Sequence, residues 1–213
     1  MISCDTVRAM IIDGIPQVLR CDPMGAGLQV RRRTFARFAI REYRKHVLKP
    51  QDVLVVLRLA AAPEAERTFP RLATALGMSS SETHAAVKRA IASGLVDGAT
   101  RTVRKAALLE FLLHGLRYVF PAEWRGVTRG VPTSYAAPPL SAQFSVGDLP
   151  PVWPHPEGTS RGEGLVPLYK SAPDAALRDP TFYEWLALVD AVRSGKARER
   201  RMAGAELERR LAG

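Results

Sequence analysis

The sequence predicts a mainly α-helical protein, and three observations carry that reading. Helix starts and glycine stops alternate at short spacing between Pro50 and Gly94. Apolar residues recur every three or four positions along KAALLEFLLHGLRYVF and again along TFYEWLALVDAV, which is the period of a buried helix face. Between those stretches, residues 121–167 are crowded with Pro and Gly, which interrupt helices and central strands alike. The expected organisation is a basic N-terminal arm over 1–48, a helical module over 49–120, a Pro/Gly-rich irregular connector over 121–167 and a helical C-terminal region over 168–213.

The arm carries much of the charge. Of the net +10 on the chain, residues 1–50 supply +6, ten Lys/Arg against four Asp/Glu. An excess of this sign favours an acidic partner, most often nucleic acid. IIDGIPQVL suits a short strand and turn. GLQVRRRTFARFAIREYRKHV suits a strand leading into a basic helix with Phe35, Phe38, Ala39 and Tyr43 as its apolar stripe. Three readings of the arm stand: it packs weakly, it touches phosphates, or the native chain begins near Leu48.

The next segment is read element by element. Pro50 fits the first turn of a helix, where its missing N–H is not needed, and PQDVLVVLRLAAA follows it as far as Pro63. Thr68 can cap FPRLATAL, which stops at Gly77. Ser79 and Glu82 have the S-x-x-E spacing of a capping box, so a third helix begins at Ser80 and ends at Gly94. VDGATRTVR offers a short two-stranded wing turning at Asp97-Gly98. RKAALLEFLLHGLRYVF is a fourth, strongly apolar helix.

The second and third helices have the spacing of a helix-turn-helix. Gly77 supplies the tight turn, Met78 fills the angle, and Leu72, Ala73 and Leu76 form an inner face. On the third helix Thr83, Ala86, Val87, Ala90 and Ile91 face inward. Ser80 and Ser81 at its start, with His84, Ala85 and Lys88 along the outer stripe and Arg89 at its flank, stay small or polar. Such a helix can enter a major groove, with Ser81 and His84 at base edges and Lys88 and Arg89 at phosphates. The wing adds Arg101, Arg104 and Lys105, which suit the backbone or the minor groove.

TFPRLATALGMSSSETHAAVKRAIASGLVDG resembles the winged helix-turn-helix of prokaryotic transcription regulators, the MarR-like and related families. LATALGMS, the cap Ser79, AAVKRAI and the closing Gly94-Leu95-Val96 carry the likeness, which covers residues 50–105. It implies that the third helix reads the major groove through Ser81, His84, Lys88 and Arg89, and that the wing contacts flanking DNA through Arg101 and Arg104. The wing is short, and a Pro-rich segment with a separate helical tail replaces the long flanking helices of MarR-like proteins. The tail has a general likeness to the segment after the DNA-binding module in small regulators encoded beside a toxin gene.

Other residues read more plainly. His114 lies among apolar neighbours as a packed histidine, and His155 lies in a loop without a partner. His46 reads as exposed. Asp174, Asp179 and Asp190 read as cap or surface carboxylates. WRGVTRGVPTSY, with Arg125 and Arg129, is a connector or a basic loop, the connector being preferred. Trp124, Tyr135, Phe144 and Trp153 should pin the irregular segment down. KARERRM is a solvated helical face, and the YEWLALVDAV helix is core or a dimer surface. Cys4 and Cys21 form no CxxC pair, and no Cys/His cluster has metal spacing. No nucleotide-binding or hydrolase motif is present and no run of ~18 apolar residues occurs, so neither an enzyme, a cofactor nor a membrane protein is expected.

The expectation is a cytoplasmic, sequence-specific DNA-binding regulator: a repressor, or the DNA-binding antitoxin of a paired locus, acting as a homodimer on double-stranded DNA. The C-terminal helices would supply the dimer contact or hold a partner protein. The alternative is a winged-helix adaptor that binds a protein in place of an operator.

Overall fold

The computed structural model describes residues 47–212, together with the backbone of two strands nearer the N-terminus. These strands, β1 (Arg8–Ile12) and β2 (Ile15–Leu19), pair antiparallel with Arg8 opposite Leu19 and Ile12 opposite Ile15. They belong to a unit spanning Met1–Val47, and Leu48–Gly213 forms a second. All but the last residue of the strand and basic helix expected over 27–47, together with His46 and both cysteines, lie outside the described residues.

The second unit is mainly helical with a small three-stranded sheet. Helix α1 (Pro50–Ala61) has Pro50 in its first turn, and the Asp52 carboxylate accepts the Lys49 N–H at 2.8 Å. Val53, Leu54, Val55, Val56 and Leu57 are all fully buried. A helix apolar all round must be surrounded, and α1 is the central post of this unit. Helix α2 (Phe69–Leu76) ends at Gly77, whose φ of +62° is one that L side chains rarely adopt. Thr68 stands at the cap position of α2 without a side-chain bond to the helix.

Helix α3 (Ser80–Ala92) starts as expected, with Ser79 Oγ accepting the Glu82 N–H at 3.2 Å. The box is only half made. The Glu82 carboxylate turns outward and accepts the Tyr169 hydroxyl at 2.7 Å, pinning the start of α3 to the chain before the C-terminal helices. Thr83, Ala86, Val87 and Ala90 face the core. The expected two-stranded wing is reduced to one bridge, Val96 opposite Val103, because Asp97 folds the intervening residues into a tight turn. Helix α4 then runs over 105–119, with a π-helical turn at Phe111–Gly115.

The Pro/Gly-rich connector is folded. Strand β3 (Trp124–Pro132) pairs antiparallel with both β4 (Pro151–Pro154) and β5 (Ser160–Leu165), and β4 runs parallel to β5, so the three close on one another. The glycines make this closure possible. A Cβ on Gly130 would lie 2.1 Å from the Trp153 carbonyl oxygen, and one on Gly162 would lie 1.9 Å from that of Pro150. Of the four aromatic pins, Trp153 is buried and Phe144 packs on the core, whereas Trp124 is exposed.

Helices α5 (Ala172–Arg178), α6 (Pro180–Ser194) and α7 (Ala197–Ala212) complete the unit. Asp179 caps α6, accepting the Phe182 N–H at 3.0 Å. Phe182, Trp185, Leu186, Leu188 and Val189 are buried in the same core as α1, so the apolar stripe of α6 is core. That core is continuous from Val53 to Leu211. The expected boundaries at 120 and 167 are therefore internal junctions of one unit, and the C-terminal helices are no separate tail.

Asp190 corrects another expectation. It is buried, and its carboxylate accepts the Thr133 hydroxyl at 3.1 Å, the Trp153 indole N–H at 2.6 Å and Arg193 Nη1 at 2.6 Å. One charge thus ties α6 to β4 and to the residue after β3. A buried carboxylate persists only with such partners.

Candidate nucleic-acid interface

The outer face of α3 is built by its own period. With Thr83, Ala86, Val87 and Ala90 inward, Ser80, Ser81, His84 and Lys88 are left exposed. Ser81 Oγ lies 3.2 Å from Ser79 Oγ, so the capping serine and the first outward hydroxyl share a hydrogen bond. Among the described residues, no carboxylate lies within ion-pair distance of Lys88.

Arg89 does not belong to this face. Its Nε and Nη2 donate to Asp52 at 2.8 and 2.6 Å, and Asp52, in the first turn of α1, is fully buried. The hydrogen bond to Asp52 raises the Arg89 pKa above its ordinary value, against the opposing effect of burial. Arg89 sits one residue beyond Lys88, a turn of ~100° that swings it from the outer stripe to the α1 side. Its expected phosphate role is thereby corrected to a structural one.

Phe69, to which the sequence pattern assigns no role, organises what remains. The ring stands at the first turn of α2, half-buried, and meets His84 edge-on at 5.0 Å with 83° between the planes. On the same ring lies the Arg101 guanidinium, 5.4 Å from the centroid. Arg101 reaches it from a left-handed backbone, φ +57°, an uncommon state for a residue with a Cβ. One aromatic ring therefore gathers the start of α2, the middle of α3 and the 97–102 turn. The available sequence signal is an aromatic in the first turn of a short helix whose inner face is already filled by Leu72, Ala73 and Leu76.

Arg104 and Lys105 flank that turn. Arg104 donates to Asp97 at 3.1 Å, so part of its charge holds the turn closed. The Asp97 carboxyl is pulled down to about 2, chiefly by the Thr100 N–H, then by Arg104, the Thr100 hydroxyl and the Ala99 N–H. Lys105 is exposed at the start of α4, where the helix dipole disfavours a cation, so helix stability gives no reason for it. The structure thus brings His84 and Arg101 together on Phe69, leaves Ser80, Ser81 and Lys88 exposed along α3, and sends Arg89 inward.

Several other expectations change. His114 is exposed, not packed. His155 has a partner, Asp174 Oδ1 at 3.1 Å from Nε2, and its Nδ1 accepts the Glu157 N–H. Arg129 donates to the Gly158 carbonyl in the turn between β4 and β5, while Arg125 lies exposed on β3. Among the described residues, no group of three or more His, Cys, Asp or Glu is placed to hold a metal ion, and no helix is long and apolar enough to cross a membrane.

No family model matches this chain, and no curated protein or solved structure matches it.

Proposed function

We propose that this protein is a winged helix-turn-helix regulator that binds double-stranded DNA in a sequence-specific way, as a repressor or a DNA-binding antitoxin. Helix α3 is the recognition helix, and the 97–102 turn stands in for the wing. The observation that carries this reading is Phe69, which holds His84 and Arg101 beside the exposed Lys88 on one surface. Ser81 and His84 read base edges. Lys88, Arg101, Arg104 and Lys105 contact phosphates. A single module of this kind reads a short site, so a homodimer on an inverted repeat is the matching architecture.

Selection of bound duplexes from a random library at physiological salt tests this. The expected result is an enriched inverted repeat bound ~10³-fold or more above random DNA. Recovery of random sequence, with binding that fades steeply as salt rises, would show only a basic surface at work and would remove the regulator reading.

A second reading, an adaptor that binds a partner protein, is favoured by the exposure of Tyr118, Val119 and Trp124 around the end of α4. Substituting Lys88→Glu separates the two. It should abolish DNA binding and leave capture of a protein partner intact.

A further inference from the structure

A cleft of about 640 Å³ opens between α4 and α7, outside the α3 surface, and its volume is that of a small-molecule site. Two helical stripes face each other across it. From α4 come Leu113, His114, Arg117 and Tyr118. From α7, residues at 197, 200/201, 204/205 and 208 line the opposite wall at the three-to-four spacing of one helix face. The middle of the α7 wall is small: Leu113 packs over the buried Gly204, where an added Cβ would lie 3.0 Å from its Cδ2, and the exposed Ala205 beside it puts only a methyl into the cleft. Leu113 and the buried Val192 of α6 make the apolar part of the lining.

The charge in this cleft is one-sided. Arg117, Arg200 and Arg201 line it, against the single carboxylate of Glu208. Among the described residues, none of these three guanidiniums lies within ion-pair distance of a carboxylate. The contrast within α7 is informative. Arg209 and Arg210, further along the helix, are both satisfied by Glu206, and Arg210 by Glu184 as well. Arg200 donates to the Gly195 carbonyl at 2.6 Å, and Arg117 lies 5.2 Å from the centroid of the Tyr118 ring. Three guanidiniums against one carboxylate leave an excess of positive charge in the cleft, and the planar fork of arginine suits bidentate bonding to a phosphate.

The backbone points to the same place. The π-helical turn of α4, Phe111–Gly115, supplies Leu113 and His114 to the cleft wall. Such turns give up regular helix bonding and recur at functional sites. We infer that this cleft binds a small organic phosphate, its anionic group held by Arg117, Arg200 and Arg201 and its apolar portion laid against Leu113, Val192 and the Tyr118 ring.

Isothermal titration of the full chain with phenyl phosphate, and separately with inorganic phosphate, tests the assignment. The expected result is saturable one-to-one binding of phenyl phosphate, tighter than that of inorganic phosphate. Arg201→Gln should weaken it about tenfold, the loss of a charge-assisted hydrogen bond. Ala205→Phe should abolish it by filling the cleft. Thermal unfolding of both variants at the wild-type midpoint shows that the fold is kept. Absence of saturable heat, equal affinity in the variants, or inorganic phosphate binding as tightly as phenyl phosphate would each overturn the inference. Displacement of phenyl phosphate by excess duplex DNA would do so too, because the cleft would then be a backbone-phosphate contact.

Discussion

Arg89 closes on Asp52 with two hydrogen bonds, and Asp52 also accepts the backbone N–H of Lys49 at the start of α1. One buried carboxylate therefore caps the central helix and anchors α3 to it across 37 residues of sequence. The orientation of the outer stripe of α3 depends on this pair, although neither residue is on that stripe.

Replacing Arg89 with Ala should destabilise the protein by about 3–5 kcal/mol, because it strands a buried carboxylate. Asp52→Asn combined with Arg89→Met should cost much less, since both charges leave together. Urea unfolding with the midpoint compared at constant slope reads the difference. A single Arg89→Ala variant within ~0.5 kcal/mol of wild type would show that the pair does not form in solution.

Asp190 makes a parallel case at the other end of the unit. Asp190→Ala leaves Arg193, the Trp153 indole and the Thr133 hydroxyl without their shared acceptor. The expected loss is again about 3–5 kcal/mol. Trp153→Phe removes one donor and leaves the other two bonds in place, so about 1–3 kcal/mol is expected. Near-ultraviolet circular dichroism through the transition should show the Trp153 environment melting together with the helices, since one core contains both.

Helix positions in the second unit were legible because their signals are local: Pro50 in a first turn, Gly77 and Gly94 at stops, Ser79 as a cap, and the apolar period of α4 and α6. What was missed is non-local. In WRGVTRGVP both faces of the strand are largely open, so no two-residue alternation announces β3. β4 and β5 are short, and the glycines that read as breakers are where backbones meet. Arg89 and Asp190 read as surface charges in the sequence because the local pattern does not name their partners, Asp52 for Arg89 and Thr133 and Trp153 for Asp190. Helix period alone puts His84 and Lys88 on the outer stripe, and both are exposed, whereas Phe69 needs the fold to bring Arg101 to it.

Asp97 sets a pH dependence on the turn beside α3. Its folded pKa of about 2 lies below the usual ~3.9 of an unfolded aspartate. A depressed carboxyl contributes stabilisation that is fully present above the unfolded value and is lost as pH falls through the folded one. The turn should therefore hold at pH 5 and loosen between about pH 4 and pH 2. The amide resonances of Ala99 and Thr100, whose N–H groups donate to Asp97 at 3.0 Å each, report it directly. A titration midpoint near 2 is expected. A midpoint near 4 would mean that these bonds are not made.

Phe69 offers the sharpest separation of positioning from charge on the α3 surface. Phe69→Ala removes the ring that His84 meets edge-on and Arg101 covers, yet leaves every cation in place. An edge-to-face pair contributes about 0.5–1.5 kcal/mol and an exposed cation–π contact about 0.5–1 kcal/mol, so a stability loss of that order is expected. The effect on DNA should be selective. Affinity for the selected site should drop about tenfold as His84 and Arg101 lose their fixed orientation. The dependence of binding on salt should change little, because it counts phosphates neutralised. Lys88→Ala and Arg101→Ala should behave in the opposite way, each lowering the salt slope by about 1 and weakening specific and random DNA alike. Fluorescence anisotropy at several salt concentrations, on the selected duplex and on a scrambled one, measures both quantities. If Phe69→Ala lowers the slope as the lysine and arginine variants do, the ring is holding the charges on the phosphates and His84 has no part in reading bases.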